Sequence, residues 1–91
     1  MSVIVRLPSQ LRVLVGGVGE VTVEATTVRE AIEALEATHP GIAPRVLDDR
    51  GALRRFVNVF VADEDVRFLD GLDTIVEAGQ TVSLVPAVAG G

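Results

Sequence analysis

The sequence contains no cysteine, lysine, tryptophan or tyrosine among its 91 residues, and it has a single histidine, His39. The absence of cysteine excludes disulfides, thiolate metal sites, iron–sulfur clusters and a cysteine nucleophile. One histidine is too few for the multi-histidine sites that hold transition metals. A chain with so few groups for acid–base, nucleophilic or metal chemistry is predicted not to be an enzyme. We expect no catalytic residue, no metal ligand and no bound cofactor.

Long hydrophobic segments are also missing. No run reaches the roughly 18 apolar residues that a membrane helix needs, and no charged segment leads into an apolar one at the start. We therefore expect a cytoplasmic protein with neither a membrane span nor a signal peptide. The net charge of −5 and the pI of about 4.6 argue against nucleic acid as a partner, because basic side chains supply most of the affinity for phosphates. The same negative charge is compatible with a basic protein as partner.

All eight basic side chains are arginine. A general compositional preference for arginine over lysine explains this pattern. A second explanation is functional, because a reactive acyl group on the chain would find no side-chain amine nearby and only the alpha-amino group would remain. The two explanations are compatible.

The residues that are present suit one folded domain. Apolar residues make up 48% of the chain and the mean hydropathy is +0.44, which is enough for a hydrophobic core. Alternating apolar residues predict strands, and clusters of Gly, Asp and Glu predict turns between them. The predicted strands are residues 2–7, 20–25, 55–62 and 81–86, with a short one at 66–69 and turns at 16–19, 48–51, 63–65 and 70–74.

The clearest helix lies in the segment "TTVREAIEALEATHPG". Thr27 and Glu30 have the spacing of a capping box, in which each side chain accepts a hydrogen bond from a free N–H of the first turn. Pro40 and Gly41 end the helix. The following "IAPRVL" predicts one further helical turn. The apolar face is predicted to consist of Val28, Ala31, Ile32 and Leu35.

Two short motifs resemble ligand loops but fit turns better. "GGVG" at residues 16–19 lacks the third glycine and the lysine of phosphate-binding loops, and it leads into a strand and not a helix. "DED" at residues 63–65 lacks the further oxygen ligands and the glycine of a calcium loop. We interpret both as turns.

The order of elements is two strands, one main helix and two or three further strands. A single helix packed across one face of a mixed sheet is an α+β arrangement. We predict a β-grasp, or ubiquitin-like, fold of four or five strands in residues 1–86, with the first and last strands as a parallel central pair. Residues 87–91 are then a flexible tail that ends in Gly90 and Gly91.

The segment "TVSLVPAVAGG" resembles the C-terminal signature of the MoaD/ThiS sulfur carriers, which share the ubiquitin-like fold. The likeness extends over essentially the whole chain, and "RRFVNVFVADEDVRF" resembles the cysteine-biosynthesis branch found in actinobacteria. The resemblance implies that an E1-like enzyme uses ATP to adenylate the Gly91 carboxylate, which then becomes a thiocarboxylate. It further implies a PLP-dependent cysteine synthase and a metalloprotease as partners. Molybdopterin, thiamine thiazole or a thiosugar remain open as alternative destinations of the sulfur.

The resemblance to sulfur carriers also suggests which residues contact a partner enzyme. The tail residues Ala87, Val88, Ala89 and Gly90 would enter the partner's active site. Val82 and Leu84 are predicted to face the core, so Val85 faces outward with Pro86 after it. From the middle strand we select Val59 and Val61, although "FVNVFV" is apolar on both faces. A ubiquitin-like protein modifier and a non-covalent β-grasp binding module are the other two functional hypotheses.

Overall fold

The structure, a computed structural model, describes residues 1–86. The predicted tail residues Ala87, Val88, Ala89, Gly90 and Gly91 lie outside the described residues. The strands are Ser2–Arg6 (β1), Glu20–Glu24 (β2), Val57–Val61 (β3), Glu64–Asp65 (β4) and Thr81–Pro86 (β5). The α-helices are Ser9–Arg12 (α1), Val28–Thr38 (α2) and Ala43–Val46 (α3).

The five described strands form one mixed sheet in the order β2-β1-β5-β3-β4. β1 and β5 are parallel neighbours near the middle, and the other neighbouring pairs are antiparallel. This confirms the predicted central pair and the β-grasp arrangement. Because β5 is inside the sheet, the last strand is held on one side by β1 and on the other by β3.

The main helix α2 begins where the capping residues predict. The Thr27 hydroxyl oxygen accepts a hydrogen bond from the Glu30 N–H at 3.1 Å. The Glu30 carboxylate accepts from the N–H and the hydroxyl of Thr26 at 2.8 and 2.7 Å, one residue before the cap. The reciprocal half of the capping box is therefore displaced by one residue from its usual partner. The bond to Thr27 satisfies an N–H that the first helical turn leaves free.

The core lies between α2 and one face of the sheet. All four predicted apolar positions of α2 are buried, and the inward residues of the strands join them in a single hydrophobic cluster. β1 contributes Val3 and Val5, and β5 contributes Val82 and Leu84. Within the described part of the chain, no helix combines the length and apolarity that crossing a bilayer requires.

Two connections differ from the predictions. The segment 66–69 is not a strand, because Val66–Phe68 form a 3₁₀ turn capped by Asp65, whose carboxylate accepts from the Arg67 N–H at 2.8 Å. The turn predicted at 63–65 is shorter, since Ala62 and Asp63 make it with positive φ values and Glu64–Asp65 already pair with β3. Two consecutive residues of positive φ are typical of tight hairpins.

The predicted turns at 16–19 and 48–51 are confirmed. The connection from β1 to β2 contains α1, a 3₁₀ turn at Val13–Val15 and then Gly16 and Gly17, whose positive φ values reverse the chain. In the second turn the Asp48 carboxylate accepts from the N–H groups of Arg50 and Ala52 at 2.9 and 3.0 Å. These two bonds are the main reason that the pKa of Asp48 lies below its ordinary value.

Candidate functional site

The candidate site is the end of β5, where the chain leaves the sheet. Pro86 lies opposite Val57, the first residue of β3, and Val85 lies opposite Asn58. The partner β1 accompanies β5 only as far as Ser83, which lies opposite Arg6. Among the described strands, the last residues of β5 are thus paired with β3 alone. Residues 87–91 continue from this corner of the sheet.

The two faces of β5 are assigned as predicted. Val82 and Leu84 have exposed fractions of 0% and 2% and belong to the core, whereas Val85 is 41% exposed on the outer face. Pro86 is partly buried at the end of the strand. Of the four expected contact residues, Val85 and Pro86 are therefore accessible to a partner.

The selection of Val59 and Val61 as surface residues was wrong. Val59 is fully buried and Val61 is 5% exposed, and both belong to the hydrophobic core. Successive side chains of a strand point to opposite faces, so burial of one residue in two places the alternate residues outside. Asn58 and Phe60, both partly buried, occupy the outer face of β3.

The sequence itself contains a signal for which residues of β3 face outward. Asn58 is the one polar residue in "FVNVFV", and an amide side chain without an internal partner favours the solvent side of a half-buried strand. Placing Asn58 outward puts Val57, Val59 and Val61 inward, which is the observed pattern. Phe60 then follows Asn58 on the outer face by alternation.

The three phenylalanines are all outside the core. Phe60 lies on the outer sheet face, while Phe56 and Phe68 are 57% and 85% exposed. Phe56 occupies a tight turn, in which the Val57 N–H donates to the Arg54 carbonyl at 3.1 Å. The turn therefore presents an aromatic ring beside Val57 and its partner Pro86.

Arg67 holds this turn in place. Its guanidinium donates to the carbonyl oxygens of Arg54 and Val57 at 2.9 and 2.8 Å and to the Asn58 side-chain oxygen at 2.7 Å. β4 pairs only with Phe60 and Val61, so within residues 1–86 the beginning of β3 has no strand on that side. Arg67 satisfies the carbonyl that an open strand edge would leave free. The pairing partner of Val85 and Pro86 is thereby fixed.

Charged groups elsewhere are arranged for local structure. The hydrogen bond from the Thr26 hydroxyl is the main cause that holds the pKa of Glu30 below its ordinary value, and the bond from the Thr26 N–H adds to it. Exposed ion pairs join Arg6 to Glu20 at 3.0 Å and Arg29 to Asp73 at 3.1 Å. Among residues 1–86, no three acidic or histidine side chains are grouped so as to hold a metal ion.

A sequence profile of the ThiS family matches residues 5–91, which is almost the whole chain. The chain belongs to the ThiS family. It is 45% identical to the sulfur carrier protein CysO of Mycobacterium tuberculosis over 93 aligned positions, covering all of both proteins. It is 36% identical to a putative sulfur carrier protein of Archaeoglobus fulgidus over 91 positions, again covering both chains completely.

Solved structures of ThiS-family relatives have the same fold. CysO in the Amycolatopsis orientalis BexX/CysO complex superposes with a TM-score of 0.91 at 45% identity, covering 98% of this chain and 99% of that one. CysO of M. tuberculosis superposes with a TM-score of 0.90 at 43% identity, covering 94% and 99%. These likenesses confirm the predicted family and β-grasp fold.

The relatives also assign the general role. Sulfur carriers of the ThiS and MoaD type are small protein co-substrates of other enzymes and are not enzymes themselves. The chain is a homologue of such carriers along its full length. The prediction of a carrier role without catalytic activity is therefore confirmed at the level of the family.

Proposed function

We propose that the chain carries sulfur for cysteine biosynthesis and that the Gly91 carboxylate is the group that is loaded. The observation that supports this proposal is the 45% identity to CysO over the full length of both chains. An E1-like enzyme would use ATP to convert the carboxylate into an acyl-adenylate, with release of pyrophosphate. A sulfide equivalent then adds to the acyl carbon, AMP leaves, and a thiocarboxylate remains on Gly91.

The sequence of the tail is suited to this chemistry. Residues 87–91 span at most about 17 Å beyond Pro86, which is long enough to enter a partner's active site. Ala87, Val88, Ala89, Gly90 and Gly91 carry no charge and no large side chain. Two residues without a Cβ atom let backbone pass a narrow channel and approach a nucleotide closely. ATP and every acid, base or metal ion are supplied by the partner enzymes.

In the cysteine branch, the thiocarboxylate sulfur adds to the Cβ atom of an aminoacrylate held by a PLP-dependent synthase, and a proton is added at Cα. The acyl group then moves from sulfur to the neighbouring amine and forms an amide between Gly91 and the new cysteine. A metalloprotease hydrolyses this amide, so that cysteine is released and the Gly91 carboxylate is restored. The carrier is regenerated at each cycle.

The partner surface consists of Val85 and Pro86 together with the outer face of β3. Val85 lies opposite Asn58 in the sheet, and Phe60 lies two residues further along the same face. Of these residues Val85 is 41% exposed, and accessible apolar side chains such as this are what a protein interface buries. This surface supports docking of the partner while the tail reaches its active site.

Loading is tested by incubating the protein with the adenylating enzyme of its source organism, ATP and a sulfur donor. Intact-mass spectrometry should show one oxygen atom replaced by sulfur. Deletion of Gly91 should abolish the change and leave the circular dichroism spectrum and melting temperature unaltered. A matched Val88→Ala variant keeps the terminus and should still be loaded. Loading of the Gly91 deletion, or no loading of the wild type by an enzyme that activates other carriers, would contradict the proposal.

The destination of the sulfur needs a separate assay. The loaded protein is offered to a PLP-dependent synthase with its aminoacrylate precursor, and a carrier–cysteine adduct is measured by mass. An adduct supports the cysteine branch. Transfer instead to a molybdopterin, thiazole or thiosugar precursor would place the chain in another branch while preserving the carrier role.

A second candidate function is covalent modification of other proteins. The chain is 40% identical over 65 residues to small archaeal modifier protein 3 of Haloferax volcanii, covering 71% of this chain. Peptides that carry the last residues of this chain in isopeptide linkage to lysine would support that function. Unchanged cellular function after removal of Gly90 and Gly91 would instead indicate a non-covalent binding module.

A further inference from the structure

A groove lies beside the point where β5 ends. It has a volume of about 240 Å³, and its lining includes Leu11, Phe56, Val85 and Pro86. This volume is below the roughly 300 Å³ at which small-molecule sites begin, so the groove suits one or two apolar side chains of another protein. Because Pro86 is one of its walls, a protein that binds residues 87–91 must pass next to the groove.

The charge around the groove has the opposite sign to that of the whole chain. The net charge is −5 with 13 acidic residues, yet no carboxylate among residues 1–86 lines the groove. The polar members of the lining are Gln10 and Arg45. Arg45 is exposed and makes no ion pair within residues 1–86, and the same holds for Arg55, which precedes Phe56 in the chain. The groove therefore complements an apolar segment that carries acidic residues.

The backbone of the turn that carries Phe56 is held by hydrogen bonds. The turn is closed by the bond from Val57 to Arg54, and the carbonyls of both residues also accept from Arg67. A residue whose backbone is held before binding loses less conformational freedom in the complex, so more of its buried area contributes to affinity. Aromatic residues, phenylalanine among them, are enriched in protein interfaces.

We propose that this groove binds an apolar side chain, flanked by carboxylates, of the adenylating enzyme that receives residues 87–91. The proposal rests on the sulfur-carrier function, since it takes that enzyme as the occupant. Phe56 and the groove provide the apolar contact, and Arg45 and Arg55 attract the acidic flank. The groove shares Val85 and Pro86 with the partner surface described above, but it opens at the end of the sheet between β5 and α1 and does not include Phe60.

Steady-state loading kinetics test the two contributions. Arg45→Glu should raise the KM for the carrier about tenfold at low salt with kcat within about twofold, because charges at the rim of an interface act on association. This effect should fade towards 0.5 M salt, at which the screening length is only about 4 Å. Arg29→Glu makes the same charge change on α2, whose first turn lies at the opposite end of the sheet, and should leave KM within about twofold.

The contribution of the apolar contact to binding is tested by two phenylalanine variants. Phe56→Ala should raise KM about tenfold or more, as expected for a hot-spot aromatic residue. Phe68→Ala removes a more exposed phenylalanine that does not line the groove and should change KM by less than about twofold. Equal effects of the two phenylalanine variants, or of the two arginine variants, would overturn the proposal.

A binding measurement separates the groove from the chemistry. Since the wild type has no cysteine, Gln10→Cys places a single thiol in the groove, and Glu33→Cys places one on the exposed side of α2. The adenylating enzyme without ATP should protect Cys from iodoacetamide in the first variant about tenfold and leave the second unprotected. If both variants are alkylated equally while the enzyme still loads the wild type, the groove is not the binding site, but the sulfur-carrier function stands. Protection without any loading of the wild type refutes the proposed function alone.

The same alkylation assay detects other occupants. A rate for Gln10→Cys that falls with carrier concentration, without enzyme, would show that a second copy fills the groove. A rate that rises when residues 87–91 are deleted, again without enzyme, would show that the chain's own tail fills it. Either result would overturn the assignment of the groove to the enzyme.

Discussion

The substitutions Val59→Ala and Val85→Ala remove the same two carbon atoms from opposite faces of the sheet. Val59 is fully buried in β3, whereas Val85 is 41% exposed in the neighbouring β5. Val59 lies opposite Leu84, so the two valines are close neighbours in the register. Both substitutions replace a β-branched residue in a strand, and the common loss of strand propensity cancels when they are compared.

The expected loss of stability differs because only one site leaves a cavity. At about 0.8 kcal/mol for each buried methylene-sized group, Val59→Ala loses about 1.6 kcal/mol of transfer free energy. The cavity raises the loss in the free energy of unfolding to about 2–3 kcal/mol. Val85→Ala should cost at most about 1 kcal/mol, because its side chain is partly hydrated and the space opens to solvent. The total free energy of unfolding of a domain of this size is roughly 5–14 kcal/mol.

Urea unfolding followed by far-ultraviolet circular dichroism measures both variants, since the chain lacks tryptophan and tyrosine for fluorescence. With a urea m-value between about 1 and 3 kcal/mol/M, Val59→Ala should lower the midpoint by roughly 0.7–3 M. The midpoint of Val85→Ala should stay close to that of the wild type, while its KM for sulfur loading rises. Equal midpoints, or a larger loss for Val85→Ala, would refute the assignment of faces.

Substitutions at Thr27, Glu30 and Arg67 test the start of α2 and the turn before β3. Thr27→Ala should cost about 1 kcal/mol and lower the melting temperature by about 4–8 °C, and an unchanged melting curve would show that the cap is dispensable. The pKa of Glu30 is lowered in the folded state, so its contribution is present above the unfolded value and is lost as the pH falls through the folded pKa. Glu30→Gln should therefore be less stable than the wild type at pH 7, and urea titrations should show this difference shrinking below about pH 4.5; a pH-independent difference would contradict this. Arg67→Gln should lower the free energy of unfolding by about 1–3 kcal/mol and speed amide exchange at the start of β3. Arg67→Lys should not restore the lost stability. The exposed control Arg55→Gln should change the free energy of unfolding by no more than about 0.5 kcal/mol.

Local sequence features predicted most of the fold because they act within a few residues. The Thr27 cap sets the start of α2, and the spacing of Val28, Ile32 and Leu35 sets its buried face. Alternation in "TVSLVP" assigns the faces of β5, because polar Ser83 lies between Val82 and Leu84. The glycines at 16 and 17 mark the turn at which positive φ values are needed.

Local features failed where several structures satisfy the same pattern. "VRFL" has the apolar content of a strand, but the bond from Arg67 to the Asp65 carboxylate and the burial of Val66 make it a 3₁₀ turn. The reciprocal partner of Glu30 also moved by one residue, because Thr26 offers both an N–H and a hydroxyl. Competing local hydrogen bonds of this kind have similar energies, so the surrounding structure selects among them.

The amino-acid sequence by itself determined the class of fold, the main helix and the inward face of β5, because these follow from short-range periodicity and residue chemistry. In "FVNVFV" only Asn58 indicates the outer side, and the tertiary structure decided the matter by burying Val59 in the hydrophobic cluster. It also decided that Phe56, Arg45 and Pro86, far apart in the chain, line one groove. Contacts between distant segments depend on the assembled core, and no local pattern encodes them.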